Sequence, residues 1–133
     1  HLAFSVDNLE KTREFYTNVL GCKEGRSSDK WVDFDMYGHQ VVAHLVSKLA
    51  TVQTNTVDGY EVPASHFGVI LEMADWQILS QRLKDSNMDF IIAPHIRFKG
   101  EAGEQATMFF LDPCGNALEF KSFKNDNKIF SKD

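Results

Sequence analysis

The chain reads as two halves that repeat the same order of elements, and this duplication most limits the folds open to it. A histidine opens a strand-like apolar segment in each half, over residues 1–6 and again over residues 66–72. A helical pattern and further strands follow in both halves. A unit of this kind leaves one sheet face in need of a partner, which its twin can supply. We therefore expect an α+β fold; the order of elements suits two paired units and, by itself, would also suit a ferredoxin-like domain.

In the first half, apolar spacing predicts a helix over residues 9–20. Asp7 is its expected N-terminal cap, with Glu10 three residues later as the reciprocal partner, and Gly21 is its expected stop. Strands are predicted over 31–37 and 40–46, joined by the turn-like pair Gly38-His39.

In the second half, a helix is predicted over residues 76–85, capped by Asp75, with Ile78, Leu79 and Leu83 as its buried stripe. Further strands are expected over 89–93, 105–111 and 116–122. The polar stretch 47–65 is predicted to be a linker or lid. Residues 94–104 are predicted to be an irregular, flexible segment that forms a wall over a site. The predicted organisation is one domain over 1–133: module one 1–46, linker 47–65, module two 66–123 and tail 124–133.

Composition narrows the class of partner. A length of 133 residues fits one domain, and a net charge of −5 argues against nucleic acid as a partner. The sequence contains no run of 18 apolar residues, so no membrane partner is expected. Cys22 and Cys114 lie far apart without a C-x-x-C pattern, which favours free thiols and a cytoplasmic location.

His1, His66 and Glu119 are the candidate metal ligands. Side chains alternate along a strand, and each of these three points away from the heavier apolar face of its own segment. Two imidazoles and one carboxylate make a three-ligand set that leaves coordination positions open. The expected cofactor is therefore one divalent metal ion that also holds water, oxygen or substrate, with Zn, Ni, Co, Mn and Fe all open.

Two stretches of the sequence carry a family resemblance. The first is HLAFSVDNLEK over residues 1–11 with Phe15-Tyr16 and Val19-Leu20-Gly21, and the second is FFLDPCGNALEF over residues 109–120. They resemble the glyoxalase/bleomycin-resistance/extradiol-dioxygenase superfamily, also called vicinal oxygen chelate. The resemblance covers nearly the whole chain apart from the linker and the tail. It implies two paired βαβββ modules whose mixed sheets curl around a metal cleft, and a homodimer.

The resemblance also implies roles for single residues. The first strand of each module and the last strand of a module supply the family's ligands, and His1, His66 and Glu119 occupy those places. His44 stands where the glyoxalase I branch has a glutamate, and it is open as a fourth ligand, a base or a substrate contact. Glu119 and His44 are the candidates for moving a proton. Arg97, suited to a substrate carboxylate, and Gln105 are the candidate substrate-binding residues.

The implied function is a metal-dependent lyase or isomerase of glyoxalase type, in which adjacent oxygens of a small-molecule substrate chelate the metal. A non-haem Fe(II) extradiol dioxygenase is the first alternative, weakened because Phe109 replaces that branch's tyrosine and residues 100–107 contain no histidine. Ala3 stands where the fosfomycin-resistance branch has a threonine, which weakens a transferase role. The second alternative is a non-catalytic antibiotic-binding or resistance protein.

Overall fold

The computed structural model describes residues 1–132. The chain forms two compact units. Unit 1 comprises His1–Gln53 and Leu111–Asn116, and unit 2 comprises Thr54–Phe110 and the chain from Ala117 onward. The finer module bounds expected from the sequence stay a prediction. Within residues 1–132, no helix has both the length and the apolar character that a membrane span requires.

Unit 1 is a four-stranded mixed sheet with one helical segment. Strand β1 is parallel to β4, and β4–β3 and β3–β2 are antiparallel, which gives the order β1-β4-β3-β2. The elements in chain order are β1 Leu2–Val6, α1 Leu9–Glu14, a π-helical stretch Phe15–Val19, β2 Lys23–Ser27, β3 Trp31–Met36 and β4 His39–Leu45.

Unit 2 repeats this topology after a two-stranded hairpin. Its main sheet has the order β7-β10-β9-β8, again with the first strand parallel to the last. The elements are β5 Thr54–Val57, β6 Tyr60–Pro63, β7 His66–Phe67, α2 Met73–Asp85, β8 Phe90–Arg97, β9 Gln105–Leu111, β10 Ala117–Phe123 and a 3₁₀ turn Asp126–Lys128. The predicted α+β fold with two βαβββ repeats is confirmed.

Each unit buries one face of its sheet under its own helix. In unit 1, the fully buried Tyr16 ring stacks on Phe34 with a centroid distance of 5.1 Å. In unit 2, Trp76 is buried, and its indole N–H donates to the Phe120 carbonyl at 2.9 Å. Side chains alternate along a strand, so the residues next in sequence to the core residues point to the opposite face of each sheet. Those faces hold the candidate ligands.

The helix ends differ from the sequence expectation. Asn8, not Asp7, caps α1, since its side-chain oxygen accepts from the Lys11 N–H at 2.9 Å. Helix α2 begins at Met73, so Asp75 lies in its first turn, where a carboxylate favours the helix dipole. Ile78 is 68% exposed, and Trp76 lies in the buried stripe instead of it.

Several strand predictions were wrong, including the end of β8, which runs to Arg97 into the stretch 94–104 predicted to be irregular. Strand β2 and the β5–β6 hairpin were missed, because their residues are mostly exposed and lack an alternating apolar pattern. The strand predicted over 66–72 pairs regularly only at His66–Phe67, followed by an isolated bridge between Ile70 and Lys121. Cys22 is buried, Cys114 is half-buried, and no disulfide forms in the described part of the chain.

Candidate metal centre

Unit 2 brings His66 and Glu119 into direct contact. Strand β7 runs parallel to β10 with His66 opposite Ala117, so Glu119 lies two residues further along the neighbouring strand. The His66 Nε2 and Glu119 Oε2 atoms are 3.2 Å apart. The two side chains are 34% and 16% exposed, so the pair is partly shielded and still reachable from outside.

The hydrogen bonds of His66 fix which nitrogen faces the carboxylate. Its Nδ1 lies 3.1 Å from the Pro63 carbonyl oxygen. A carbonyl oxygen only accepts, so Nδ1 carries the hydrogen and Nε2 of the neutral ring presents a lone pair to Glu119. Two acceptors facing each other at 3.2 Å need a cation between them, either a shared proton or a metal ion.

The separation of the two acceptors fits a shared metal. With metal–ligand bonds of about 2.1 Å, neighbouring ligand atoms lie roughly 3.0–3.4 Å apart, and the His66–Glu119 pair falls in that range. A hydrogen bond from Nδ1 to a carbonyl is also a common arrangement behind metal-ligating histidines. The pair therefore fits one edge of a coordination sphere for a divalent metal.

Glu119 is oriented by two further residues of unit 2. The buried Thr107 hydroxyl donates to Glu119 Oε1 at 2.8 Å, and Lys121 Nζ lies 3.5 Å from the same oxygen. The His66 ring packs against Phe109 at a centroid distance of 5.0 Å. With Oε1 held in this way, Oε2 is the oxygen directed at His66. Sequence reasoning missed Thr107, because a threonine in an apolar strand carries no distinguishing signal.

Gly68 lets the strand that carries Glu119 approach closely. A Cβ atom at Gly68 would lie 1.7 Å from the Glu119 carbonyl oxygen and 2.7 Å from its carbonyl carbon. Both atoms belong to the backbone, which cannot move aside as a flexible side chain would. The glycine therefore makes room for the main chain at the site.

Gly68→Ala is expected to destabilise the protein by about 3 kcal/mol, the upper range for overpacking a tight interior. Strand β10 would have to move away from residue 68, taking Glu119 with it. Urea denaturation followed by circular dichroism measures the loss. Gly103→Ala is the matched control, because nothing lies within 4 Å of a Cβ there. Equal stability of both variants would contradict the close approach.

His1 lies in unit 1 and has its own hydrogen-bond partner. Its Nδ1 is 2.8 Å from Gln40 Oε1, and the side chain is exposed. Within residues 1–132, no group of three or more histidine, cysteine, aspartate or glutamate side chains is arranged to hold a metal ion. The structure thus brings His66 and Glu119 together, and the role of His1 as third ligand stays a prediction.

The strand registers separate His44 from the ligand positions. Leu2 pairs with Val41, so His1 is in register with Gln40, and the position two residues further is Val42. In unit 2, the same offset from the partner of His66 leads to Glu119. Val42, not His44, therefore corresponds to Glu119. His44 is exposed and pairs with Ser5, about 13 Å along the strand from Gln40. The register does not support His44 as a fourth ligand.

The two predicted substrate-binding residues face each other across β8 and β9. Arg97 pairs in register with Gln105. Arg97 Nη2 forms an ion pair with Asp58 Oδ2 at 2.8 Å, and its guanidinium lies over the Phe98 ring. Gln105 is buried, and its Oε1 has no hydrogen-bond partner among the residues described. Arg97 is thus already engaged, whereas Gln105 holds an unused acceptor.

Comparison with known proteins decides the family. The model of the family described as Glyoxalase/Bleomycin resistance protein/Dioxygenase superfamily matches residues 1–120. The chain belongs to this superfamily. The superfamily's name joins enzymes with resistance proteins, so membership gives the fold but does not identify the reaction.

Solved structures agree with membership in the superfamily. A glyoxalase/bleomycin resistance protein/dioxygenase from Alicyclobacillus acidocaldarius is 29% identical, with 98% of this chain and 94% of that chain covered and a TM-score of 0.80. The fosfomycin resistance protein FosX from Listeria monocytogenes is 19% identical, with 92% and 89% covered and a TM-score of 0.66. A single-site mutant of that protein, complexed with Mn(II) and 1S,2S-dihydroxypropylphosphonic acid, is 20% identical, with 90% and 85% covered and a TM-score of 0.64.

Proposed function

We propose that this protein is a metal-dependent enzyme of the glyoxalase-like lyase or isomerase type, acting on a small molecule with adjacent oxygen atoms. His1, His66 and Glu119 would hold one divalent metal ion. The observation that carries the proposal is the contact between His66 Nε2 and Glu119 Oε2 at 3.2 Å, which is the spacing of two neighbouring ligands of one metal ion. A bound divalent metal would act as a Lewis acid toward adjacent substrate oxygens and stabilise developing negative charge.

Other side chains of the site would move the proton and bind the substrate. Glu119 is the group that we propose to move a proton at the carbon beside the substrate carbonyl. His44, the other predicted base, is exposed on the same strand face as His1 but about 13 Å along the strand from Gln40, which suits a substrate contact. Gln105, which pairs in register with Arg97, is the second residue that we propose to bind substrate. Arg97 would add a guanidinium N–H beyond the one paired with Asp58.

The metal itself stays open among Zn, Ni, Co, Mn and Fe, since the ligand set suits all of them. One alternative follows from the same ligands. Two histidines and one carboxylate also form the triad of non-haem Fe(II) oxygenases, so an extradiol-type dioxygenase is the second candidate. A non-catalytic small-molecule or antibiotic-binding protein is the third. We further propose a cytoplasmic homodimer, without a nucleic-acid or membrane partner.

His66→Ala is expected to lower turnover by about 100-fold or more, because it removes a ligand and opens the contact with Glu119. The purified protein would be reloaded anaerobically with each of the five metals. It would then be assayed on α-hydroxycarbonyl compounds for isomerisation and on catechols for oxygen uptake. His39→Ala is the control, since His39 is exposed where β4 begins.

The outcomes of this assay separate the three candidate functions. Isomerisation or lyase activity with several metals, lost in His66→Ala, supports the proposal. Oxygen uptake restricted to Fe(II) moves the assignment to a dioxygenase. Ligand binding that a chelator leaves unchanged, without turnover for any metal, overturns the enzyme assignment and leaves the binding protein.

A further inference from the structure

A buried aspartate lies behind His1 in unit 1. Asp33 is 5% exposed, and its Oδ2 accepts a hydrogen bond from Gln40 Nε2 at 2.9 Å. The other end of the same amide, Gln40 Oε1, lies 2.8 Å from His1 Nδ1. Asp33, Gln40 and His1 thus form a continuous chain of hydrogen bonds from the interior of the unit to the candidate ligand.

Stability does not account for a carboxylate at position 33. Its Oδ1 is buried with no hydrogen-bond partner in the described residues, and a Cβ at Gly25 would come within 2.5 Å of that oxygen. The nearest cation is Arg26, whose Nε lies 4.0 Å from Oδ2 and whose side chain is 83% exposed, so this ion pair is weak. Buried in this way, Oδ1 has no contact that stabilises its charge. The other carboxylate oxygen of Asp33, Oδ2, is the one that holds Gln40.

That oxygen determines the orientation of Gln40. A carboxylate only accepts hydrogen bonds, so the NH₂ end of the Gln40 amide must face Asp33. The amide oxygen must then face His1, and it can only accept from His1 Nδ1–H. In the neutral ring this places the hydrogen on Nδ1 and the lone pair on Nε2. His66 reaches the same state through the Pro63 carbonyl.

We propose that Asp33 is a positioning residue that, through Gln40, fixes His1 in the Nδ1–H tautomer and so prepares its Nε2 to bind a metal. This step rests on the proposed function, in which His1 is a ligand. Partners of this kind behind a ligating histidine typically change metal affinity by about 10- to 100-fold. A glutamine alone would not suffice, because its amide can present either end to the ring.

The tautomer can be read directly in metal-free protein. ¹⁵N NMR of histidine-labelled protein, in mildly alkaline solution where imidazole is neutral, distinguishes Nδ1–H from Nε2–H, and the His1 signals are assigned by their loss in His1→Asn. Wild type should show the Nδ1–H form. Asp33→Leu, which replaces a buried carboxylate with an apolar side chain of similar size, should give a mixture of both forms. Its Zn²⁺ affinity, measured with a competing chelator, should fall about tenfold or more.

A rescue variant tests whether the effect passes through residue 40. In Asp33→Leu with Gln40→Glu, the new carboxylate can only accept from His1 Nδ1–H, so both the tautomer and the Zn²⁺ affinity should return toward wild type. If Asp33→Leu fails to fold, Asp33→Asn serves instead, since its amide can face Gln40 with either end and should also mix the tautomers. An unchanged tautomer in the variants, or no rescue, would overturn the inference.

The His1 tautomer and the Zn²⁺ affinity together distinguish a failure of this inference from a failure of the proposed function on which it rests. If wild type binds no Zn²⁺ while the tautomer still responds to Asp33, the relay stands and the proposed metal site fails. If wild type binds Zn²⁺ with unchanged affinity in Asp33→Leu and an unchanged tautomer, the relay fails and the metal site stands.

Discussion

Replacing Glu119 with alanine is expected to leave the protein unable to retain a metal ion. The change removes the sole anionic member of the proposed ligand set and leaves His66 Nε2 without its neighbour at 3.2 Å. We expect affinity to fall by about 100-fold or more, since even the partners behind metal ligands are worth 10- to 100-fold. Elemental analysis after dialysis should show near one metal per chain in wild type and almost none in the variant.

The matched control removes one negative charge, as Glu119→Ala does, at a position away from the site. Glu101 is an exposed glutamate of the same unit, and Glu101→Gln should retain metal as wild type does. Circular dichroism confirms that both variants are folded. Equal metal content in wild type and Glu119→Ala would show that the carboxylate is not a ligand. A wild type without metal, even after reloading under reducing conditions, would leave the binding protein as the better account.

Metal content can also show whether His1 and Glu119 of one site come from the same chain or from two chains. His1→Ala and Glu119→Ala chains would be unfolded, mixed in equal amounts and refolded together. If each site takes His1 and Glu119 from different chains of a homodimer, half of the dimers are mixed and each regains one of its two sites, giving about a quarter of the wild-type metal. If one chain supplies all three ligands, the mixture regains none.

The duplicated fold was predictable because its signal is apolar periodicity. Strand β10 buries Leu118, Phe120 and Ser122 on one face, and helix α2 buries Trp76, Leu79 and Leu83, so these elements are visible in the sequence. The exposed strand β2 and the β5–β6 hairpin are held by backbone pairing, which leaves no apolar pattern to read. The helix caps were misplaced by one to three residues, since several neighbouring polar residues can each serve as a cap.

The candidate site was predictable in part for a different reason. His66 and Glu119 could be found from residue type and position, and their contact confirms that they lie together. Thr107, which orients Glu119, and Gln40, which contacts His1, are recognised only in the structure. Register also separates Val42 from His44, two residues that sequence distance alone does not distinguish.

Asp112→Ala should cause a large loss of stability in unit 1. Its Oδ1 accepts from the Cys114 and Asn116 backbone N–H groups, and its Oδ2 accepts from the Tyr16 hydroxyl and the Asn116 side chain, all at 2.8–2.9 Å. Burial raises the pKa of the Asp112 carboxyl, and these four hydrogen bonds oppose the rise. The truncation would leave four donors without their acceptor, at an expected cost of about 3–5 kcal/mol.

Loss of the Asp112 carboxylate should loosen both the turn at 112–116 and the helical segment that carries Tyr16. The turn at 112–116 is tied to β1 through Asn116 Nδ2 and the Ser5 carbonyl, and to the helical segment through Tyr16. Urea denaturation measures the loss, with Asp29→Ala, an exposed position in the turn before β3, as a control expected near zero. A cost below about 1 kcal/mol for Asp112→Ala would show that water replaces the lost acceptor.

A double-mutant cycle isolates the contact between Asp112 and Tyr16. Tyr16→Phe removes one hydroxyl donor from a fully buried ring and should cost about 1 kcal/mol. In the Asp112→Ala background, the same hydroxyl is a buried donor without its partner, so its removal should cost less or even restore stability. Additive losses would mean that the 2.9 Å contact contributes nothing and that Asp112 acts through its other three donors. A coupling of about 1 kcal/mol or more would show that the aspartate of the turn holds the core tyrosine of the first repeat in place.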